Sequence, residues 1–475
     1  MKLYKLLKNI NCRFLGNMVV EINGLYHKDT EVKDGGLFFC LRGTRVDGNE
    51  FVLSAVKNGA VAIVVEQEIQ NLSGVTQIVV KNAREAMSLI ACRFYGNPSS
   101  KLKIIGVTGT NGKTTITNMI ASVLSFAGKS VAVVGTNGVF FKDKCFDTGL
   151  TTPDPIELHK YFSMFVKNRV EYVCMEVSAH ASFLKKVEGV VFEQMVFSNL
   201  SEDHLDFFKN MDNYYKAKAK MFEQKHTRFA VINADDEHGR LLASCIKIPY
   251  QTYATNNKAT LELENCCLTK NGQLFKTKDG LEILMQMVGK FNVSNALASI
   301  CVLRKIGVSD EQIAKGLTQM QPVAGRFNSF FVGEKLVVVD YAHTPDGLKN
   351  VLECCKEIAG EHKVVCVFGC GGNREVEKRS IMGKIASTLA DFSIITSDNP
   401  RFEKREAIAQ DIQKGVVNQN YKIELDRVTA IADAIGMADD GDVVLVAGKG
   451  AENYIDENGT KIPYSDLKEV EKFRR

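Results

Sequence analysis

No run in this chain approaches the ~18 consecutive apolar residues that a membrane-crossing helix needs, so insertion into a bilayer is not expected. The first seventeen residues mix lysine with apolar side chains, but the apolar runs are only two or three residues long. No small-residue cleavage site follows them, which is not the pattern of a secretory signal. No block of like charge reaches the length of an interaction tail. Formal net charge is only +4 over 475 residues, so charge gives no reason to expect nucleic acid as a partner. The CxxC spacing is missing altogether. The 13 cysteines are odd in number and scattered, with adjacent pairs at Cys266-Cys267 and Cys354-Cys355. They read as free thiols of a reducing cytosol, and neither as a disulfide framework nor as a zinc site. Internal repeats and low-complexity segments are also lacking. What remains is a soluble globular composition, 45% hydrophobic and 24% charged, of a length that predicts roughly two to four domains.

Two turn-rich connectors break the chain, GNPSSKLK at residues 96–103 and MQPVAGRFN at residues 320–328. They predict domains over residues 1–100, 101–325 and 326–475. Within each, short β-branched runs alternate with helical patterns. AVAIVVE precedes a helix near residues 83–95. KIIGVTG, SVAVVG, EYVCMEVS, QMVFSNL and FAVINAD punctuate the middle part, and KLVVVD, KVVCVFG, FSIITSD and DVVLVAG the last. Continuously apolar strands separated by helices imply parallel sheets buried on both faces. The expected fold class is therefore α/β, with a small α/β N-terminal domain, a central doubly wound parallel sheet carrying a P-loop-like turn, and a Rossmann-like C-terminal domain. Sites of such folds lie at the carboxyl ends of the strands.

The run IIGVTGTNGKTT, residues 104–115, is a phosphate loop with unusual spelling. Counting back from Gly112-Lys113-Thr114 puts Val107 where the common motif has its first glycine. The physical parts survive this change: a strand enters a glycine-rich turn, and a helical pattern leaves from the lysine. Backbone N–H groups of Gly109, Thr110, Asn111, Gly112 and Thr115 can cradle an anion, Lys113 adds a point charge, and Thr114 can reach Mg²⁺. A tight turn that merely contains lysine is the competing reading.

GTNGKTT resembles the ATP loop of the Mur ligase family, and further stretches follow in the family's order. They are TTPD with Thr151 and Thr152, MEVSAH with Glu176 and Ser178, NLSEDHLDFF with His204, YYKAKAKMF with Lys218, GKFNVSNALAS with Asn292 and Asn295, AGRFN with Arg326, and VVVDYAHTPDGL with Asp340 and His343. From the residues alone, Glu176 ends an apolar strand, where a carboxylate can hold Mg²⁺. Lys216, Lys218 and Lys220 would by themselves read as a solvated basic turn. The resemblance implies more: Lys218 carried as a carbamate, a metal region of Thr114, Glu176, His204 and Lys218, asparagines near the adenine, and Arg326, Asp340 and His343 closing on ATP from the third domain. Lys113, Glu176, His204 and Lys218 would then be the catalytic set, with ATP and Mg²⁺ as cofactors.

In the last part, GCGGNRE and SDNPRFE each follow a strand. Arg374 and Arg401 suit a carboxylate, while Asp398 and Glu452 suit an ammonium, a combination that fits a zwitterionic amino acid. DNPR resembles the meso-diaminopimelate signature of the tripeptide-forming branch of the family. It implicates Arg374, Asp398, Asn399, Pro400, Arg401, Gly448 and Glu452 in holding that amine. Residues 34–66 resemble the uridine-nucleotide domain, with Thr44, Arg45 and Val46 on its contacting loop. Departures cluster at the acceptor side: Lys28, Asp29 and Thr30 replace Asp-Ser-Arg, Leu184 replaces a frequent Gln, Lys186 a frequent Arg, and Ala451 the usual His. Asp29, Thr151, Thr152, Ser178 and Lys186 complete the expected acceptor set. The resemblance implies ATP-dependent joining of meso-diaminopimelate to UDP-N-acetylmuramoyl-L-alanyl-D-glutamate by a cytoplasmic enzyme, expected to be a monomer, without nucleic-acid or membrane partners. A paralogous ligase with another acceptor or amine, L-lysine for example, is the alternative.

Overall fold

The computed structural model describes residues 1–43, 46–269 and 271–474. Three large sheets follow one another along the chain, and the apolar runs named above form strands within them. The first has five strands, parallel from Gly24–Tyr26 through Gly36–Phe39 and Ala60–Val65 to Thr76–Val80, with Cys12–Leu15 antiparallel on the edge. The second has eleven strands centred on Lys103–Thr108, which lies between Tyr172–Glu176 and Gln194–Phe197. The third has six strands: Lys335–Asp340, Val443–Ala447, Val364–Phe368, Phe392–Ile395 and Tyr421–Ile423 are parallel, and Asn328–Val332 is antiparallel.

Alternation along each central strand splits its side chains between two cores, which is why these runs had to be apolar throughout. Ile105, Val107, Tyr172, Cys174 and Val196 pack under the helices Lys113–Phe126 and Lys290–Ile306. Ile104, Val173, Met175, Met195 and Phe197 pack on the opposite face, against Pro155–Lys167 and Met211–Ala219. The third sheet is covered likewise, by Pro345–Ala359 and Glu377–Leu389 on one face and Arg427–Met437 on the other. The central sheet differs from expectation at its edges. The strands Gly138–Phe141 and Lys144–Phe146 extend one side antiparallel, and Leu261–Thr269, Gly272–Thr277 and Glu282–Met285 extend the other with antiparallel pairings. These strands are partly exposed and mix polar with apolar residues, so they lack the continuous apolar signature of the buried ones. No helix among the described residues is long and apolar enough to cross a membrane.

One buried group gives the fold a pH dependence. His159, on Pro155–Lys167, is fully buried edge-on to Phe162, and neither ring nitrogen has a hydrogen-bond partner. Burial pushes its imidazole down from 6.5 to about 4. As pH falls, the unfolded chain therefore binds the proton first, so stability present above pH 6.5 is lost between there and about pH 4. Urea denaturation should show a loss of about 3 kcal/mol from this group across that window. In His159→Leu that part of the profile should flatten.

Candidate active site

The strand Lys103–Thr108 delivers Gly109 and Gly112 at positive φ (153° and 85°), and the helix Lys113–Phe126 starts at the next residue. A Cβ on Gly109 would collide with Ser198 Oγ, and one on Gly112 with Asn295 Oδ1. Glycine is required at both for this close approach. The turn is pinned from the neighbouring strand end: Ser198 Oγ donates to Asn111 O (2.6 Å), Asn111 N to Asn199 Oδ1 (2.9 Å), and Thr110 N to Asn199 O (2.9 Å). These three bonds tie the loop to the strand that ends at Phe197.

Around it stand the predicted cations and acids. Lys113 Nζ donates to Gly109 O (2.9 Å) and Thr110 O (2.8 Å). Burial pushes its amine down, against the pull of Glu176 and Asp203. Glu176 ends its strand with Oε1 accepting from Thr114 Oγ1 (3.0 Å) and Thr136 N (2.8 Å), and Oε2 from Thr136 Oγ1 (3.0 Å). Lys218 is the one buried member of its lysine trio. Its Nζ donates to Gly109 O (2.7 Å) and sits 4.4 Å from the Tyr214 ring. Burial, then Lys113, hold this amine well below its ordinary value. His204 adopts φ 58° before a short helix, with Nε2 3.3 Å from Asp203 Oδ2. Burial drives the imidazole to about 3, despite Asp203. Burial also opposes ionisation of Asp203, but His204, His343, Lys378 and Lys113 outweigh it and hold the carboxyl at about 2.

One cleft of about 420 Å³ joins these groups to the third sheet. Lys113, Thr114, Thr115, Glu176, His204, Lys218, Asn292 and Asn295 line it from the central part. Arg326, Asp340, His343, Arg374, Asp398, Asn399, Arg401, Gly448 and Glu452 line it from the other side. Contacts cross the cleft: Arg326 Nη2 donates to Thr114 Oγ1 (3.0 Å), and Asn111 Nδ2 to Asp346 Oδ2 (3.0 Å). Asp340 accepts from Phe327 N and Ala342 N (both 2.7 Å), which fixes the junction.

Other predicted residues fall elsewhere. Thr151 and Ser178 line the cleft, but Thr152 is buried as a brace, donating to Glu176 O (2.9 Å) and accepting from Ser178 N (3.1 Å). Pro400 is buried, with its carbonyl accepting from Glu403 N (3.0 Å). Asp29 turns its Oδ2 to Ser54 Oγ (2.6 Å), Lys186 pairs with Asp154 (2.8 Å), and Val46 is exposed; none of the three lines the cleft. Thr44 and Arg45 lie outside the described residues. Sequence reasoning missed Asp346 and Lys378, both at the cleft, with Lys378 Nζ donating to His343 O (3.0 Å). Asp346 stood within the quoted HTPDGL run, three residues after His343. It also missed the hairpin Tyr454–Glu457 and Thr460–Pro463 behind Arg401, which the Asn458-Gly459 turn could have signalled.

Among the described residues, no three His, Cys, Asp or Glu side chains gather as a ready metal cage. Thr114 and Glu176, with oxygens 3.0 Å apart at the cleft wall, nevertheless fit a hard cation that keeps most of its ligands from water and phosphate, as Mg²⁺ does.

The family model for the Mur ligase middle domain matches residues 107–303, that for the Mur ligase glutamate ligase domain residues 325–450, and that for the Mur ligase family catalytic domain residues 21–95. The chain belongs to the Mur ligase family. This Mur ligase is 41% identical to UDP-N-acetylmuramoyl-L-alanyl-D-glutamate--2,6-diaminopimelate ligase 1 of Clostridium acetobutylicum, over 99% of this chain and 98% of that one. It is 39% identical to the Bacteroides fragilis ligase of the same name, over 99% of each. A solved structure of such a ligase aligns with a TM-score of 0.70 at 29% identity, covering 100% of this chain and 98% of that one. A Thermotoga maritima Mur ligase crystallised with ADP shares the fold, with a TM-score of 0.66 at 18% identity over 97% and 98% of the two chains.

The third-sheet side of this Mur ligase cleft rests on a buried ion pair. Arg427 and Asp466, 1% and 0% exposed, pair through Nε–Oδ1 and Nη2–Oδ2, both 2.8 Å. Arg427 also donates to Ser397 O and Ala447 O, at the mouths of the two strands that carry Asp398 and Gly448. Asp466→Ala would strand the guanidinium, at a cost of about 3–5 kcal/mol. Urea denaturation of the purified variant should show that loss.

Proposed function

We propose that this Mur ligase joins meso-diaminopimelate to UDP-N-acetylmuramoyl-L-alanyl-D-glutamate, with ATP cleaved to ADP and phosphate, as a cytoplasmic monomer in peptidoglycan precursor synthesis. One observation carries the reading. Arg374 and Arg401 share a cleft with Asp398 and Glu452, opposite the phosphate loop, and the full-length relatives are named for this reaction. Two guanidinium groups and two carboxylates match an amine that carries a second zwitterionic end. Lysine, which has only one carboxylate, would leave an arginine without its partner. On this reading residues 1–100 hold the uridine nucleotide, 101–325 hold ATP, and 326–475 bring the amine.

A carboxylate and an amine do not condense in water unless a carboxylate oxygen becomes a leaving group. Transfer of the γ-phosphoryl group to the acceptor carboxylate gives an acyl phosphate, and the amine then displaces phosphate. The protein's share is positioning and charge neutralisation. The N–H groups of residues 109–115 and Lys113 would hold the phosphates, with Asn292 and Asn295 toward the adenine and Arg326, Asp340 and His343 closing from the third sheet. Bound Mg²⁺, held by Thr114 and Glu176 with His204 and carbamylated Lys218 around it, would neutralise phosphate charge. Lys218 suits that modification, because burial lowers its amine, and the unprotonated amine is the form that adds carbon dioxide. Thr151 and Ser178 would face the acceptor, and closure of the cleft would exclude water from the acyl phosphate.

Asp29 favours a second reading, a Mur-type ligase with a different acceptor, since its carboxylate stands where the family usually places a serine. Its hydrogen bond from Ser54 partly offsets that charge and keeps the first reading ahead. Phosphate release with ATP, Mg²⁺ and the uridine-linked dipeptide decides between them, comparing meso-diaminopimelate, L-lysine and no amine. Release only with diaminopimelate, with a tripeptide product by mass, is expected. Release with lysine alone, or with no amine required, would reject the proposal. Lys113→Ala should lower kcat by about 10²–10³-fold in the same assay.

A further inference from the structure

Arg401 is held on three sides. Its backbone adopts φ 51° and is clamped by the hairpin, with Arg401 N donating to Asp456 O (2.9 Å) and Asn458 N donating to Arg401 O (2.7 Å). The hairpin is itself fixed: Asp456 N donates to Asn399 Oδ1 (2.8 Å), and Arg405 pairs with both oxygens of Glu457 (3.1 and 2.8 Å). In the side chain, Nη1 donates to Gly372 O (2.7 Å), and Nε lies 3.8 Å from Asp456 Oδ2. Asp456 itself does not line the cleft, and its Oδ1 is buried without a hydrogen-bond partner. An unpaired buried carboxylate oxygen weakens a fold, so packing of the hairpin does not account for an acid here. Charge does. The other acids nearby lie toward Lys449, Glu452 at 3.0 Å and Asp398 at 3.9 Å. Asp456 is the carboxylate that the described ion pairs assign to Arg401.

We propose that Asp456 is a positioning residue for amine selection. Gly372 O and Asp456 hold the two sides of the Arg401 guanidinium, so that its remaining N–H edge faces the cleft, fixed for a carboxylate at the far end of the incoming amine. The inference rests on the diaminopimelate reading above. It adds a residue that touches no substrate and acts through Arg401.

The test uses the full chain with ATP, Mg²⁺ and the uridine-linked dipeptide. Asp456→Asn keeps the side chain's shape and the hairpin's backbone bonds but removes the charge. The expected result is a KM for meso-diaminopimelate raised about tenfold, with kcat, the KM for ATP and the melting temperature little changed. In an Arg401→Ala background, Asp456→Asn should cause no further change, because the group it positions is gone. An Asp456→Asn enzyme with an unaltered KM for diaminopimelate would overturn the inference. So would the same loss in the Arg401→Ala background, or a KM for ATP that rises in step. Wild-type protein that ignores diaminopimelate defeats the functional reading itself, whereas active wild type with an indifferent Asp456→Asn defeats only this inference.

Discussion

Gly109 O accepts from both Lys113 Nζ and Lys218 Nζ, at 2.9 and 2.7 Å, and the rest of the site is arranged around that shared carbonyl. Two amines cannot both stay charged, buried and this close without cost, and burial lowers both. The arrangement is possible because position 109 has no side chain: a Cβ would strike Ser198. The loop can therefore sit against the neighbouring strand end and turn its carbonyls toward the lysines. From there the order of the sheet fixes the other groups. Glu176 comes from the strand on one side of Lys103–Thr108, and the His204 loop follows the strand on the other side. The carboxyl edge of a parallel sheet becomes a row of acids and cations facing one cleft.

The second half of the site depends on a different kind of constraint. Arg401 and Asp398 sit on loops of the third sheet, which have no strand of their own to hold them. They are fixed by buried charge and by clamped backbone. Arg427 and Asp466 hold the strand mouths, and the hairpin Tyr454–Glu457 and Thr460–Pro463 holds Arg401 in a left-handed conformation that non-glycine residues adopt only when surroundings enforce it. His204 is held the same way, at φ 58°.

Much of this was legible in the sequence, and for identifiable reasons. Strands buried on both faces must be apolar at every position, so VVCVF and YVCME announced themselves, and so did the helix beginning at Lys113. The antiparallel edges of the central sheet did not, because LELENCCLT faces solvent in part and carries no clean period. The lysine trio shows where reading stops: spacing alone points to solvent, yet Lys218 is buried while Lys216 is exposed, a difference set by what the helix packs against. Their place inside motifs makes Thr152 and Pro400 look like contact residues. The fold uses them as supports behind the residues that reach the cleft.

On the proposed function, this cleft brings the γ-phosphate of ATP onto an acceptor carboxylate before the amine arrives. The most direct measurement is turnover of acceptor labelled with oxygen-18 in its terminal D-glutamyl carboxylate, followed by mass analysis of the released phosphate. Acyl-phosphate formation carries one labelled oxygen from acceptor to phosphate in each turnover. Phosphate released without label would mean that the carboxylate is never phosphorylated, and would contradict it.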